Sequence, residues 1–224
     1  MRRIFLGLTG ALCLGLGACV MPGSDAAYLL AREYPRENLS PQNFIVCLQH
    51  GCQKEVEVSL TEEQWQEVRD IFAAPPEVGE AGTPEGERAQ IAFALARIEQ
   101  LVAPIANTGG DVGGSFSGFG RTNQLDCVDE MVNTTTYLTM MYNDGLFRFH
   151  RPGHRVTEAL SIRGFWPHTV MTVYDTTDGD KPYVIDTWIK NNGEVPYVMA
   201  LSDWRAGVHH HDLVTGEELT RMIY

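Results

Sequence analysis

Two runs of alternating apolar residues constrain this chain more than any other feature. They are His168-Thr169-Val170-Met171-Thr172-Val173-Tyr174 and Tyr183-Val184-Ile185-Asp186-Thr187-Trp188-Ile189. A period of two reads as half-buried strands, and the short polar connector between the runs makes them an antiparallel hairpin. Asp186 stands inside the second run, where a carboxylate is costly to bury without a partner. His168, at the head of the first run, can be that partner. The pairing sets a register: 168 and 186 average to 177, so the hairpin centre falls at Thr177. A two-residue turn at Asp178-Gly179 would instead pair 168 with 189 and turn Asp186 to the opposite face. An asymmetric loop or bulge within residues 176–182 is therefore expected, with a third short strand near residues 195–201.

A helix precedes the hairpin. Asp126 is a good N-cap, Cys127 opens the helical pattern, Met131, Leu138 and Met141 share one side, and Gly145 suits the C′ position. Thr134, Thr135 and Thr136 lower its intrinsic propensity, so packing must hold it. Cysteine at a helix start, followed by His168 and Asp186, suits nucleophilic catalysis by a thiol. Such chemistry needs a thiolate, a base for its proton and a group that orients the base. The backbone N–H of Cys127 is available to a developing oxyanion, and Gln124 is a second candidate donor or else a simple surface glutamine. Asp126, Asp129 and Glu130 would oppose a thiolate if they faced it. They are read as structural, with Asp129 and Glu130 turned away. Trp166 and Trp188 are read as core residues.

Upstream, residues 43–48 and 55–60 look like short strands. Thr61 with Gln64 forms a capping box, Leu60 and Trp65 a hydrophobic staple, and Trp65, Val68, Ile71 and Phe72 an apolar face that Pro75-Pro76 ends. A second helix is expected over residues 87–103, on the stripe of Ile91, Leu95, Ile98 and Val102. Residues 107–120 hold six glycines but no Gly-Lys-Ser/Thr follows, so the segment reads as a loop bordering the site or a plain linker rather than a phosphate loop. Residues 147–163 read as irregular, and residues 215–222 as a last helical turn or two. His209-His210-His211 lacks any metal-ligand spacing and is read as an exposed turn, so no metal and no cofactor is expected. Asn133-Thr134-Thr135 matches a glycosylation sequon without a reason to use it.

Arg2 and Arg3, a short apolar run, and Leu16-Gly17-Ala18-Cys19 resemble a bacterial lipobox. The expectation is a signal peptide over residues 1–18, lipid on Cys19, and a tether over residues 19–42. Val20, not aspartate, follows the cysteine, which favours the periplasmic face of the outer membrane. Cys47 and Cys52 flank a turn and would pair in an oxidising envelope, leaving Cys127 as a single thiol. A net charge of −12 without any basic cluster excludes nucleic acid as a partner.

At Asp126-Cys127-Val128-Asp129-Glu130, His168-Thr169-Val170-Met171-Thr172-Val173 and Val184-Ile185-Asp186-Thr187-Trp188 the chain resembles the transglutaminase-like superfamily. The nearest likeness is to the bacterial transglutaminase-like periplasmic cysteine proteinases. The resemblance covers residues 124–201. It implies an α+β papain-like, transglutaminase-like core, with the Cys127 helix packed on an antiparallel sheet and a helical segment before it. The expected division is an N-terminal strand and helix segment over residues 43–106 and a Cys-His-Asp domain over residues 107–224, the two forming one compact unit. The function implied is cleavage or transfer of amide bonds in a protein or peptide of the envelope. Two alternatives stand beside it: a non-catalytic envelope scaffold on the same fold, and a papain-like hydrolase of peptidoglycan peptides.

Overall fold

The computed structural model describes residues 39–73, 80–114, 123–162 and 166–207. The expected signal, residues 19–38 of the expected tether with Cys19, Pro75-Pro76, the histidine run at 209–211 and residues 215–222 lie outside them. The chain is a mixed α+β protein with two antiparallel sheets. Strands β1 (Phe44–Leu48) and β2 (Lys54–Val58) form a hairpin in the register Phe44↔Val58. Helices α1 (Glu62–Ala73) and α2 (Pro84–Ala106) follow, then α3 (Cys127–Asn143). The second sheet contains β3 (His150–Pro152), β4 (Val156–Ile162), β5 (Trp166–Asp175), β6 (Lys181–Asp186) and β7 (Tyr197–Ala200), and the short α4 (Leu201–Arg205) closes the described chain.

Local chemistry explains most helix boundaries. Thr61 and Gln64 make the reciprocal capping bonds, Gln64 Oε1 accepting from Thr61 N at 2.8 Å and Thr61 Oγ1 from Gln64 N at 3.2 Å. Helix α2 starts earlier than its apolar stripe suggests, because Thr83 caps Gly86 and Pro84 occupies the first position, where its missing N–H costs nothing. It ends on Asn107 in the left-handed conformation. By length and apolarity α2 could cross a membrane, yet 61% of that stretch is buried within the protein, as in a core helix. Helix α3 ends in a Schellman motif: Gly145 N donates to Tyr142 O at 3.0 Å and Leu146 N to Met141 O at 3.1 Å, with Gly145 at φ 75°.

The five-stranded sheet runs β3-β5-β6-β7, and β4 pairs β5 beyond β3. Within the segment expected to be irregular, His150–Pro152 and Val156–Ile162 instead form strands, and β3 and β4 both pair with β5. Their charged residues and the Pro152-Gly153 step hide the pattern, and the partner strand supplies what their own sequence lacks. Helix α3 packs between β1 and β5. The main core runs from Val46 and Trp65 through Leu95 and Leu138 to Met171, Val173 and Ile185. Side-chain alternation sends Val170 and Val184 to the other face of the sheet, where they meet Trp204 of α4 in a second, smaller cluster.

The hairpin register differs from the expected one. Met171 opposes Ile185 and Asp175 opposes Lys181, so the loop is residues 176–180 and its centre is Asp178. The loop is symmetric, not bulged, and positive φ at Gly179 (61°) and Asp180 (60°) closes it. An odd loop length still keeps His168 and Asp186 on one face. The two are diagonal neighbours instead of direct partners, within reach for long side chains.

Candidate active site

The start of α3 is built by its own acids. Asp126 Oδ1 accepts from Val128 N at 3.0 Å and Asp129 N at 2.9 Å, and Asp129 Oδ2 reaches back to Asp126 N at 3.3 Å. Cys127 is the first helical residue, half-buried, and its thiol is free. Among the described residues its backbone N–H has no acceptor, as the exposed donors of a helix start have none. Asp129 is fully buried. Its oxygens accept from His50 N at 2.7 Å and Cys52 N at 2.6 Å. They hold a turn in which Gln49, His50, Gly51 and Cys52 all have positive φ. Non-glycine residues disfavour that conformation, and the Cys47–Cys52 disulfide closes the same turn. One helical turn further on, the buried Asn133 makes paired bonds with Cys47 N (2.7 Å) and Cys47 O (3.0 Å). That bonding removes the sequon from any surface.

The threonines of α3 satisfy themselves. Thr135, Thr136 and Thr139 donate to carbonyls four residues back. Thr134 instead meets the Thr187 hydroxyl at 3.1 Å, which ties α3 to the residue after Asp186.

His168 and Asp186 are both fully buried, and Nε2 of the imidazole lies 2.8 Å from Asp186 Oδ2. The ring is flanked by Trp188 at 5.1 Å and Trp204 at 5.9 Å between centroids. Burial alone would depress the imidazole pKa. The Asp186 charge and hydrogen bond, and then the neighbouring Cys127 thiol, outweigh it and lift the value to about 10. Nδ1, the other ring nitrogen, has no hydrogen-bond partner among the described residues, and neither has Asp186 Oδ1. An imidazole held at Nε2 by a carboxylate, with a thiol as a further neighbour, can take a proton from sulfur and return it.

Gln124 is not a surface residue. It is buried, and its amide donates to Gly110 O at 2.7 Å and Asn123 O at 3.3 Å, while Oε1 accepts from Val112 N at 3.3 Å. Both amide protons are committed, so Gln124 would have to break these bonds to face an oxyanion. In this structure it pins the first half of the glycine-rich loop. That half borders the site: Gly114 N donates to Trp188 O at 2.8 Å, and a Cβ on Gly113 would lie 2.4 Å from the Lys190 carbonyl carbon.

Three carboxyls lie behind the site, and two of them, Glu99 and Asp111, were missed in the sequence. Glu99 accepts from Gly193 N at 2.7 Å, Asp111 from Leu125 N at 2.8 Å, and Glu130 from Thr187. Burial pushes Glu99 up to about 8 and Asp111 to about 6. Glu130, also repelled by both, is raised well above the carboxylate range. Nothing in residues so far apart signals that they meet. Trp204 was missed too; a lone tryptophan in the polar segment Ser202-Asp203-Trp204-Arg205 was the available signal. Trp166 lies in β5, its side chain outside the described set. Compared with models of protein families, with curated proteins and with solved structures, the chain has no match.

Proposed function

We propose that this protein is a thiol hydrolase or acyl transferase for amide bonds, with a papain-like, transglutaminase-like core. The observation that carries the reading is the buried His168–Asp186 pair at 2.8 Å with the Cys127 thiol as a neighbour of the same imidazole. Cys127 sulfur attacks the carbonyl carbon of the amide, and the oxyanion meets the Cys127 N–H at the helix start. The imidazolium protonates the leaving nitrogen, the C–N bond breaks, and a thioester remains. Water or an amine then attacks the thioester, giving its proton to the imidazole, and the thiol is regenerated. Asp186 holds the ring in the useful tautomer throughout. The substrate is a protein or peptide of the bacterial envelope. The chain reaches it from a lipid anchor on Cys19, at the periplasmic face of the outer membrane.

One observation favours a non-catalytic scaffold: His168 is wholly enclosed, with tryptophans on two sides. Reactivity separates the two readings. A cationic imidazole beside sulfur favours the attacking anion. Iodoacetamide at pH 6 should therefore label Cys127 in folded protein about tenfold faster than in denatured protein. His168→Ala should abolish the advantage and Asp186→Asn should reduce it. A scaffold predicts the reverse, with Cys127 protected until the chain unfolds. For the anchor, a clickable palmitate fed to producing cells should mark the wild type and not Cys19→Ala. Equal labelling of the two would end the lipoprotein reading.

A further inference from the structure

Asp186 spends all of its bonding through one oxygen. Oδ2 receives the His168 ring nitrogen at 2.8 Å and the Trp204 indole N–H at 3.3 Å, while Oδ1 has no partner among the described residues. We propose that Trp204 is a positioning residue of the triad, its indole N–H fixing the plane of the Asp186 carboxylate and tempering that carboxylate's hold on the imidazole proton. The inference rests on the triad reading and adds a fourth member to it.

The fold delivers this contact deliberately in the sense that little else stabilises α4. The helix has five residues, and its first cap, Ala200, makes no side-chain hydrogen bond. So short a helix is not stable alone. It is carried to the site by β7, which pairs Tyr197 with Asp186 and Ala200 with Tyr183. It is held there by Trp204, fully buried against Val170 and Val184. The same side chain thus ends the sheet, covers the imidazole and donates to the carboxylate.

The electrostatic consequence has a definite sign. A donor aimed at Oδ2 stabilises the carboxylate and opposes a positive charge on the adjacent ring. Removing the N–H strengthens the pull of Asp186 on the imidazole proton and loosens the carboxylate. A tryptophan serving only as filler, with an indole N–H that found any acceptor, as buried indoles generally do, would leave the imidazole unaffected.

Trp204→Phe keeps an aromatic ring and deletes the donor. NMR of the His168 ring, followed from pH 6 to 11, should show its titration midpoint higher than in wild type by about half a unit or more. The pH profile of Cys127 alkylation by iodoacetamide should have its alkaline limb displaced the same way. In an Asp186→Asn background the same substitution should change neither, since the donor acts through that carboxylate. An unmoved midpoint and profile, with only a lower melting temperature, would overturn the proposal. Should Trp204→Phe fail to fold, wild type still decides: the Trp204 indole N–H resonance should move with the His168 titration, and a static resonance refutes the link. Failure of the triad itself reads differently, as Cys127 labelling that His168→Ala does not alter.

Discussion

Two buried histidine–carboxylate pairs of nearly equal length stand among the described residues, and their surroundings are opposite in kind. His150 Nδ1 lies 2.9 Å from Glu87 Oε1, as His168 Nε2 lies 2.8 Å from Asp186 Oδ2, and both rings are fully enclosed. Around His150 every group is answered. Its Nε2 meets Arg88 Nη1 at 3.2 Å, and Arg88 continues to Asp175 at 3.2 Å and Glu85 at 2.8 Å. Glu87 also accepts from the backbone of Arg148, Phe149 and His150 at 2.6, 2.9 and 2.8 Å. This closed network bolts the β3 approach to the start of α2. Around His168 one ring nitrogen and one carboxylate oxygen lack partners among the described residues, and the free Cys127 thiol neighbours the imidazole. Buried polar groups are ordinarily satisfied, so the incomplete pair is the one available for chemistry and the complete pair the one that holds the fold.

The largest expected effect breaks the closed pair. Glu87→Ala strands three backbone donors and an imidazole in the interior and should cost about 3–5 kcal/mol of stability in urea denaturation. Labelling of Cys127 in the fraction that remains folded should change by less than about twofold, the reverse of the His168→Ala pattern. Comparable loss of labelling in Glu87→Ala would mean that the two pairs are coupled and the distinction is wrong.

A smaller effect sharpens the comparison through pH. Burial raises the Glu87 pKa, but the His150 bond and the backbone donors outweigh it, and the folded value lies below the ordinary one. Its stabilisation is therefore present above about pH 4.3 and lost as pH falls through the lower folded value. His168 has the opposite sign. Its contribution is complete below about pH 6.5 and lost as pH rises, through a folded value near 10. Denaturation across pH should show an acid limb that Glu87→Gln reduces and an alkaline limb near 10 that His168→Gln reduces.

The smallest expected effect lies between the two limbs. Glu99, raised to about 8 by burial, holds its proton in the folded state. Its contribution too is lost as pH rises. Glu99→Gln should remove a loss of stability that begins above about pH 4.3 and is complete by about pH 8, and leave the step near 10 in place. If the whole alkaline limb vanished with Glu99→Gln, His168 would not be the group that the comparison requires.

Features set within a few residues were legible in the sequence. The Thr61–Gln64 box, the Asp126 cap ahead of Cys127, Gly145 at its helix end and the Cys47–Cys52 closure depend on neighbours in the chain, and each stands as its local pattern indicates. That His168 and Asp186 share a face followed from the cost of a lone buried carboxylate combined with a period of two. What tertiary structure decided is where side chains end after the chain has crossed the molecule. Gln124 reads as an oxyanion donor or a surface residue, yet the fold buries it and commits its amide to Gly110 and Asn123. Strands β3 and β4 exist because β5 offers them a ladder. Glu99, Asp111 and Glu130 meet because α2, α3 and the loop between them converge, and Trp204 finds Asp186 only through the pairing of β6 with β7. Caps, turns and alternation are energies of adjacent residues and so leave a local pattern. Burial and long-range hydrogen bonds are energies of the packed whole, and no stretch of sequence carries them alone.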